Sequence, residues 1–422
     1  MPRLRGWRQA TDRLNLIRVM PAEASLNDRG GYDAVIVGGG AIGLCCAWRA
    51  AQRGARVVVV DRDRPPAGAT RVAAGMLAPI GELAFGEPEL LQMTLAAAEC
   101  YPDFVAELEA ASGMSSGYAC HGALHIALDR DEAAELRRVH GLQRSLGLGA
   151  EWLPPRRCRE LEPGLTPSFN GGVHAPQEAL IDPRQMTAAL LAALSAAGVE
   201  VRGGTEVVEP LLTGGRIVGV RTDSGEELRA QNVVLASGAW SGAAAAWLPE
   251  PARPPVRPVK GQILELRALD GEPPCERIVA SERVYLAPRP DGRLIVGATT
   301  EERGFDTAVT AGGVHELLRE AYRLLPDVAE MELVESMAGL RPGTPDNLPL
   351  IGPGALDGLV LACGHYRNGI LLAPLTGDAI AELLDAGELP DAVAPANPMR
   401  SSFVGLSATN DERTLDGDGV GR

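Results

Sequence analysis

Three glycines and one aspartate carry the clearest chemistry in this chain. The glycines stand as Gly38-x-Gly40-x-x-Gly43, and Asp61 follows eighteen residues after the last of them. Gly38 permits a tight turn, Gly40 lets the main chain approach a pyrophosphate, and Gly43 lets a helix pack close to a strand. The free N–H groups and positive dipole end of that helix would face the anion. Asp61 offers a carboxylate to both ribose hydroxyls and repels a 2′-phosphate, which argues against NADP. The glycine pattern alone is weak, because the chain has 50 glycines and a structural turn would read the same way. It also does not separate FAD from NAD.

The elements around the pattern make it specific. Val35, Ile36 and Val37 form a short apolar run suited to a strand buried on both faces. A helix follows the glycines, and Val57 to Val60 form a second strand that ends at Asp61. Asn232 to Ala236 repeats the buried-strand pattern and runs into Ser237-Gly238-Ala239-Trp240-Ser241, a second place where a backbone could approach a cofactor. Leu359 to Ala362 does so again and runs into Gly364-His365-Tyr366-Arg367-Asn368-Gly369, with a helix expected from Thr376 to Ala386.

Between these pieces lie other patterns. Glu89 to Ser112 is helical in pattern but interrupted by Pro102. Asp182 caps a helix that has Pro183 in its first turn and ends at Gly198. A hairpin is expected around Asp223-Ser224-Gly225. Gly261 to Leu266, Arg283 to Pro288 and Arg293 to Val296 alternate as antiparallel strands do, and Val314 to Leu325 is an amphipathic helix.

The expected fold is α/β: a Rossmann-like dinucleotide-binding domain, discontinuous in sequence, with an inserted antiparallel-sheet (α+β) substrate domain. Residues 31–85, 172–257 and 336–390 are assigned to the first, and 86–171 and 258–335 to the second. Interruption of the nucleotide domain favours FAD, because NAD dehydrogenases more often keep that domain continuous. Residues 1–30 read as an extension, either disordered or upstream of a true start at Met20. Residues 391–422 are expected to be a disordered tail, rich in Pro, Asp and Ser.

Composition narrows the function classes. With 422 residues there is ample core for two or three domains. A formal net charge of −15 disfavours nucleic acid and anionic membranes as partners. No apolar run is long enough to span a membrane, and no secretion signal is evident. Seven cysteines, without CxxC or Cys/His metal spacing, read as reduced thiols of a cytoplasmic protein that holds no metal. The adjacent Cys45 and Cys46 read as packing residues.

Several segments then carry a resemblance. VIVGGGAIGL (35–44), RVAAGMLAP (71–79), SGAWS (237–241), PVKGQILEL (258–266), VYLAPRPDGRLIVGATTE (284–301), GLRPGTPDNLPLIG (339–352) and GHYRNGILLAP (364–374) resemble the D-amino acid oxidase superfamily of flavoproteins. Within it they are most similar to the glycine oxidase branch associated with thiamine thiazole synthesis. The resemblance implies FAD as cofactor, a small amino acid as substrate and molecular oxygen as acceptor. A hydride would pass from the substrate Cα to the flavin, while the protein positions and desolvates.

Roles for individual residues follow from the same resemblance. Arg341 is similar to the arginine that clamps the substrate carboxylate, and Tyr285 to the tyrosine that closes its other side. From spacing alone, the one is a surface arginine before a Pro-Gly turn and the other a core aromatic. Arg367 is implied to line the same pocket near substrate or flavin, and a structural ion pair fits it nearly as well. Met76 resembles a residue beside the flavin ring, with core packing as its alternative. Main-chain groups of Gly364, Asn368 and Gly369 are placed near the flavin O2 and N3 edge. Thr299 and Thr300 are placed at the substrate cavity. His365 is read as local hydrogen bonding, since oxidation of a free amine needs no base. No cysteine lies between Cys275 and Cys363, where sarcosine oxidases attach their flavin, so FAD is expected to be non-covalent. The rival readings are a dehydrogenase with an acceptor other than oxygen and a non-catalytic FAD-binding subunit. A homo-oligomer is left open.

Overall fold

The computed structural model describes residues 31–400; residues 1–30 and 401–422, with the expectations placed on them, lie outside the described residues. Two eight-stranded sheets organise the chain. The central strand of the first is Tyr32–Val37, which pairs in parallel with Val57–Asp61 on one side and Glu227–Leu235 on the other. Glu200–Gly203 extends the sheet in parallel beyond Asp61, and Leu359–Cys363 extends it beyond Leu235. Leu350–Pro353 closes that edge antiparallel, and strands Arg216–Thr222 and Val207–Thr213 curl off the long central partner.

Both faces of this sheet are covered, which is why its strands read as unbroken apolar runs. Ala34, Ile36, Val57 and Val59 join the core formed with helices Ala41–Gln52, Pro88–Ser112, Pro183–Ala196 and Gly369–Ala386. Val35, Val37, Val58 and Val60 point the other way, into a second core with Ile217, Val220 and Leu361. Each buried valine contributes roughly 1.5–3 kcal/mol. Cys45 and Cys46 are fully buried, and Gly377 packs so close to Cys45 that a methyl group there would lie 3.0 Å from its backbone.

The second sheet is mainly antiparallel. Its order is Glu332–Gly343, Arg257–Arg267, Arg293–Gly297, Tyr285–Pro288, Ile278–Ala280, Ala123–Ile126, Gly172–Ala175 and Glu151–Leu153. Ile278–Ala280 and Ala123–Ile126 form its parallel pair. Helix Ala311–Leu324 packs its apolar stripe beneath it through Leu317, Ala321 and Leu324. The mixed α/β architecture is the one expected.

Several local expectations change. Helix Pro88–Ser112 continues through Pro102, because Tyr101, Phe104 and Leu108 are buried on either side of that position and packing outweighs one missing N–H. The last helix starts at Gly369 rather than Thr376 and contains Pro374, so its N terminus reaches the Gly364–Gly369 loop. Strands Glu332–Gly343 and Gly172–Ala175 belong to the second sheet, and helix Pro88–Ser112 packs on the core of the first; the boundary expected at 336 falls inside the first of these strands. The tail expected to be disordered from 391 is packed as far as residue 400. Val393 and Ala396 are fully buried, and Arg400 pairs with Asp346 at 2.8 Å. The turn at 223–225 and the cap at Asp182 form as read: Asp182 accepts from the N–H groups of Arg184 and Gln185.

Candidate functional site

A cavity of about 700 Å³ runs between the two sheets. At one end stands the glycine turn. Gly38 has φ +120°, and a side chain there would overlap the Ala236 carbonyl. A side chain at Gly43 would overlap the carbonyl oxygen of Gly38, so this glycine sets how closely the helix seats on the turn. At Gly40 the nearest obstacle is the Thr70 hydroxyl, 3.2 Å from an added methyl group. That hydroxyl also accepts from Ala41 N–H at 3.1 Å, so the first helical donor is already satisfied. Thr70 was not singled out in the sequence, because its partner lies 29 residues away.

Asp61 is held in place by main-chain donors. Its Oδ2 accepts from Gly39 N–H at 2.6 Å and its Oδ1 from Asp63 N–H at 2.8 Å. Each oxygen keeps lone pairs for a further donor. Gly238, with φ +55°, begins a short 3₁₀ turn that carries Trp240 to the same end. The Arg62 guanidinium lies over the Trp240 ring, 4.4 Å from its centroid.

The other end is built on the second sheet. Arg341 projects from strand Glu332–Gly343 and crosses diagonally over the neighbouring strand. Its Nη1 donates to the Thr299 carbonyl at 3.0 Å and the Lys260 carbonyl at 3.4 Å. Among the described residues no carboxylate pairs with it. Tyr285 stands opposite Gly297 in the ladder, and its phenol lies over that glycine as the Arg341 guanidinium lies over Gly261. Burial pushes the Tyr285 phenol up to about 12, against the opposing pull of the Arg341 charge. The phenol is therefore a neutral donor. Neither Gly261 nor Gly297 was singled out in the sequence; the signal available was a glycine inside an alternating strand.

The last helix supplies the third wall. Gly364 (φ +76°) and Tyr366 (φ +46°) turn the loop, Asn368 stands at the N-cap position without a side-chain cap bond, and Gly369 and Ile370 line the cavity. Arg367 faces Glu82 at 3.9 Å and lies over the Tyr366 ring. Its charge is thus partnered, unlike that of Arg341. Glu82 was not picked out beforehand. His365 is buried, bonds Thr376 Oγ1 at 2.9 Å, and has its pKa lowered to about 3 by burial, so its imidazole is neutral. Met76, in a two-residue strand paired with Leu180, lines the cavity. Thr300 does as well. Thr299, expected there too, does not line the cavity; its hydroxyl is engaged by donating to Glu301 and accepting from Gln262 N–H. Cys363 also lines the cavity, and burial pushes its thiol up to about 12.

This donor set fits an elongated dinucleotide. A carboxylate stands at one end for ribose, a glycine turn and a helix N terminus follow for phosphates, and a second helix N terminus opens beside Arg341 and Tyr285. Among the described residues no cluster of His, Cys, Asp and Glu could hold a metal ion, and no helix is long and apolar enough to cross a membrane.

The chain is similar to known proteins. The family described as DAO, FAD dependent oxidoreductase, matches residues 33–383. The bifunctional protein ThiO/ThiG of Trichormus variabilis is 37% identical over 355 residues, which are 83% of this chain and 52% of that protein. The chain thus spans about half the length of that relative. Glycine oxidase of Geobacillus kaustophilus is 35% identical over 375 residues, 86% of this chain and 96% of that enzyme. The crystal structure of glycine oxidase from Geobacillus kaustophilus superposes with a TM-score of 0.81, covering 87% of this chain and 98% of that one at 34% identity.

Proposed function

Because this chain belongs to the DAO family of FAD dependent oxidoreductases, we propose that it oxidises glycine and related small amino acids with non-covalently held FAD. The products are an oxo acid, ammonia and hydrogen peroxide, and release of glycine imine before hydrolysis would supply thiazole synthesis. The likeness to a glycine oxidase and to a ThiO/ThiG protein supports this reading.

The observation that carries it is the Arg341 guanidinium, half-buried in the cavity and without a carboxylate partner among the described residues. A buried cation without a countercharge is costly, and a substrate carboxylate relieves that cost. The planar fork accepts a carboxylate through two parallel hydrogen bonds, and the neutral Tyr285 phenol donates a third. These contacts fix Cα relative to the rest of the cavity. When bound along Gly38, Gly40, Gly43 and Asp61, FAD would supply the acceptor for the hydride from Cα and the route of its electrons to oxygen. Hydride loss requires the free amine, and His365, engaged by Thr376 and with its pKa lowered to about 3 by burial, is a poor acceptor for the ammonium proton. Non-covalent attachment is supported by the thiol of Cys363, which burial keeps protonated, and by the lack of cysteine between Cys275 and Cys363.

The test is anaerobic mixing of the purified yellow protein with a panel of amino acids and simple amines. Glycine, sarcosine or a small D-amino acid should bleach the flavin, and oxygen uptake should follow on aeration. Bleaching without oxygen uptake would assign a different acceptor. No bleaching by any amino acid would overturn the reading.

A further inference from the structure

Two arginines share one end of the cavity, and they differ in a single respect. Arg341 has no carboxylate partner among the described residues, whereas Arg367 faces Glu82 at 3.9 Å. Glu82 also lines the cavity. It sits in the turn after Ala78, which is anchored from behind: the fully buried Glu178 accepts from Ile80 N–H at 3.0 Å and from Gly81 N–H. The main chain that carries Glu82 is thus anchored and does not trail as a free loop. Arg341, Glu82, Arg367 and Tyr285 all line the same cavity. Arg341 and Arg367 bring two positive charges, Glu82 brings one negative, and Tyr285 is neutral. That balance matches one substrate carboxylate. Glu132, Glu135, Glu282 and Arg283 line the cavity as well, three negative charges and one positive, and so add no surplus positive charge for a second anion.

Resting on the function proposed above, we infer that Glu82 is a specificity-determining residue. By occupying Arg367, it restricts the site to monocarboxylic amino acids and excludes dicarboxylates, which would otherwise find two cationic anchors. A site rejects a wrong ligand by withholding its partner as well as by supplying one for the right ligand.

The test uses the FAD-loaded full chain and two non-oxidisable probes, acetate and malonate, with binding read from the flavin absorbance. Glu82→Gln keeps the shape of the side chain and frees Arg367. The ratio of malonate to acetate affinity should rise about tenfold or more, the size expected for a new charge-assisted contact. Iminodiacetate should gain kcat/KM relative to glycine in the same variant. The double variant Glu82→Gln with Arg367→Gln should return the ratio to its original value. An unchanged ratio in Glu82→Gln, or a gain that survives removal of Arg367, would overturn the inference. Arg341→Ala separates this from the function itself. If it abolishes acetate binding while Glu82→Gln changes nothing, only the role of Glu82 falls. If acetate binds Arg341→Ala as before, the carboxylate clamp falls and the inference falls with it.

Discussion

The guanidinium of Arg341 rests on the main chain of Gly261, so close that a methyl group at 261 would overlap its terminal nitrogens. Gly261 lies two residues beyond Val259, the ladder partner of Arg341, so the side chain reaches it along the diagonal of an antiparallel pair. Gly297 does the same for Tyr285. The two side chains that meet the substrate in the proposed site each lie flat on the sheet because a glycine leaves room.

Gly261→Ala should therefore displace the guanidinium without touching the cofactor. Misplacement on the order of 1 Å costs about a hundredfold in rate. Steady-state kinetics should show that loss in kcat/KM for glycine, with the flavin content of the purified protein unchanged. Unaltered kinetics would mean that the guanidinium need not lie where it does.

Arg341→Ala should leave FAD bound and cost about 3 kcal/mol or more in kcat/KM, through a lost bidentate contact and a poorly placed Cα. Arg341→Lys should recover part, because an ammonium keeps the charge without the fork. Simple amines should be poor substrates of the parent and much less affected by the change. Equal losses for amines and amino acids would remove Arg341 from the substrate site.

The three motif glycines should not be equivalent. Gly43→Ala forces a methyl group into the Gly38 carbonyl oxygen and should lower both flavin retention and the thermal midpoint, with overpacking costing about 1–3 kcal/mol or more. Gly40→Ala meets only the Thr70 hydroxyl at 3.2 Å and should cost less in thermal midpoint, its loss falling on flavin retention because the methyl group stands where a pyrophosphate would approach. Thermal midpoints order the two for stability, and absorbance ratios of flavin to protein after gel filtration report retention.

His365 should matter for acid stability and be silent in catalysis. Its pKa is lowered to about 3 by burial, below the value near 6.5 of an unfolded histidine. The unfolded chain thus takes up the proton first, and the contribution is fully present above about pH 6.5 and is lost as pH falls toward 3. A non-titrating replacement such as His365→Asn should flatten the fall in thermal midpoint over that window relative to the parent. Tyr285, raised to about 12, titrates in the opposite sense: its contribution is present below about pH 10 and is lost as pH rises toward 12. Profiles of kcat/KM should accordingly show no ionisation from either residue between about pH 6.5 and 10.

The nucleotide end of the site could be read residue by residue, and its physical cause is local. Strand, glycine turn, helix, second strand and Asp61 are contiguous, so their hydrogen bonds and close approaches arise between near neighbours in the chain. The Asp182 cap and the turn at 223–225 were legible for the same reason. The resemblance pointed to Tyr285 and Arg341, but nothing in their spacing did. Tertiary structure brought them together, by laying Glu332–Gly343 against Arg257–Arg267, then Arg293–Gly297, then Tyr285–Pro288. It alone set Gly261 beneath one and Gly297 beneath the other, placed Glu82 opposite Arg367, gave the Thr70 hydroxyl to Ala41, and turned the Thr299 hydroxyl toward Glu301. It also carried the last helix back to Gly369, through Pro374, and packed the chain beyond 391. Apart from the Thr299–Glu301 bond, each of these depends on partners from a dozen to hundreds of residues away. A strand's sequence states which face is apolar, but the neighbour that will lie across it is chosen only when the sheets assemble and bury their faces together.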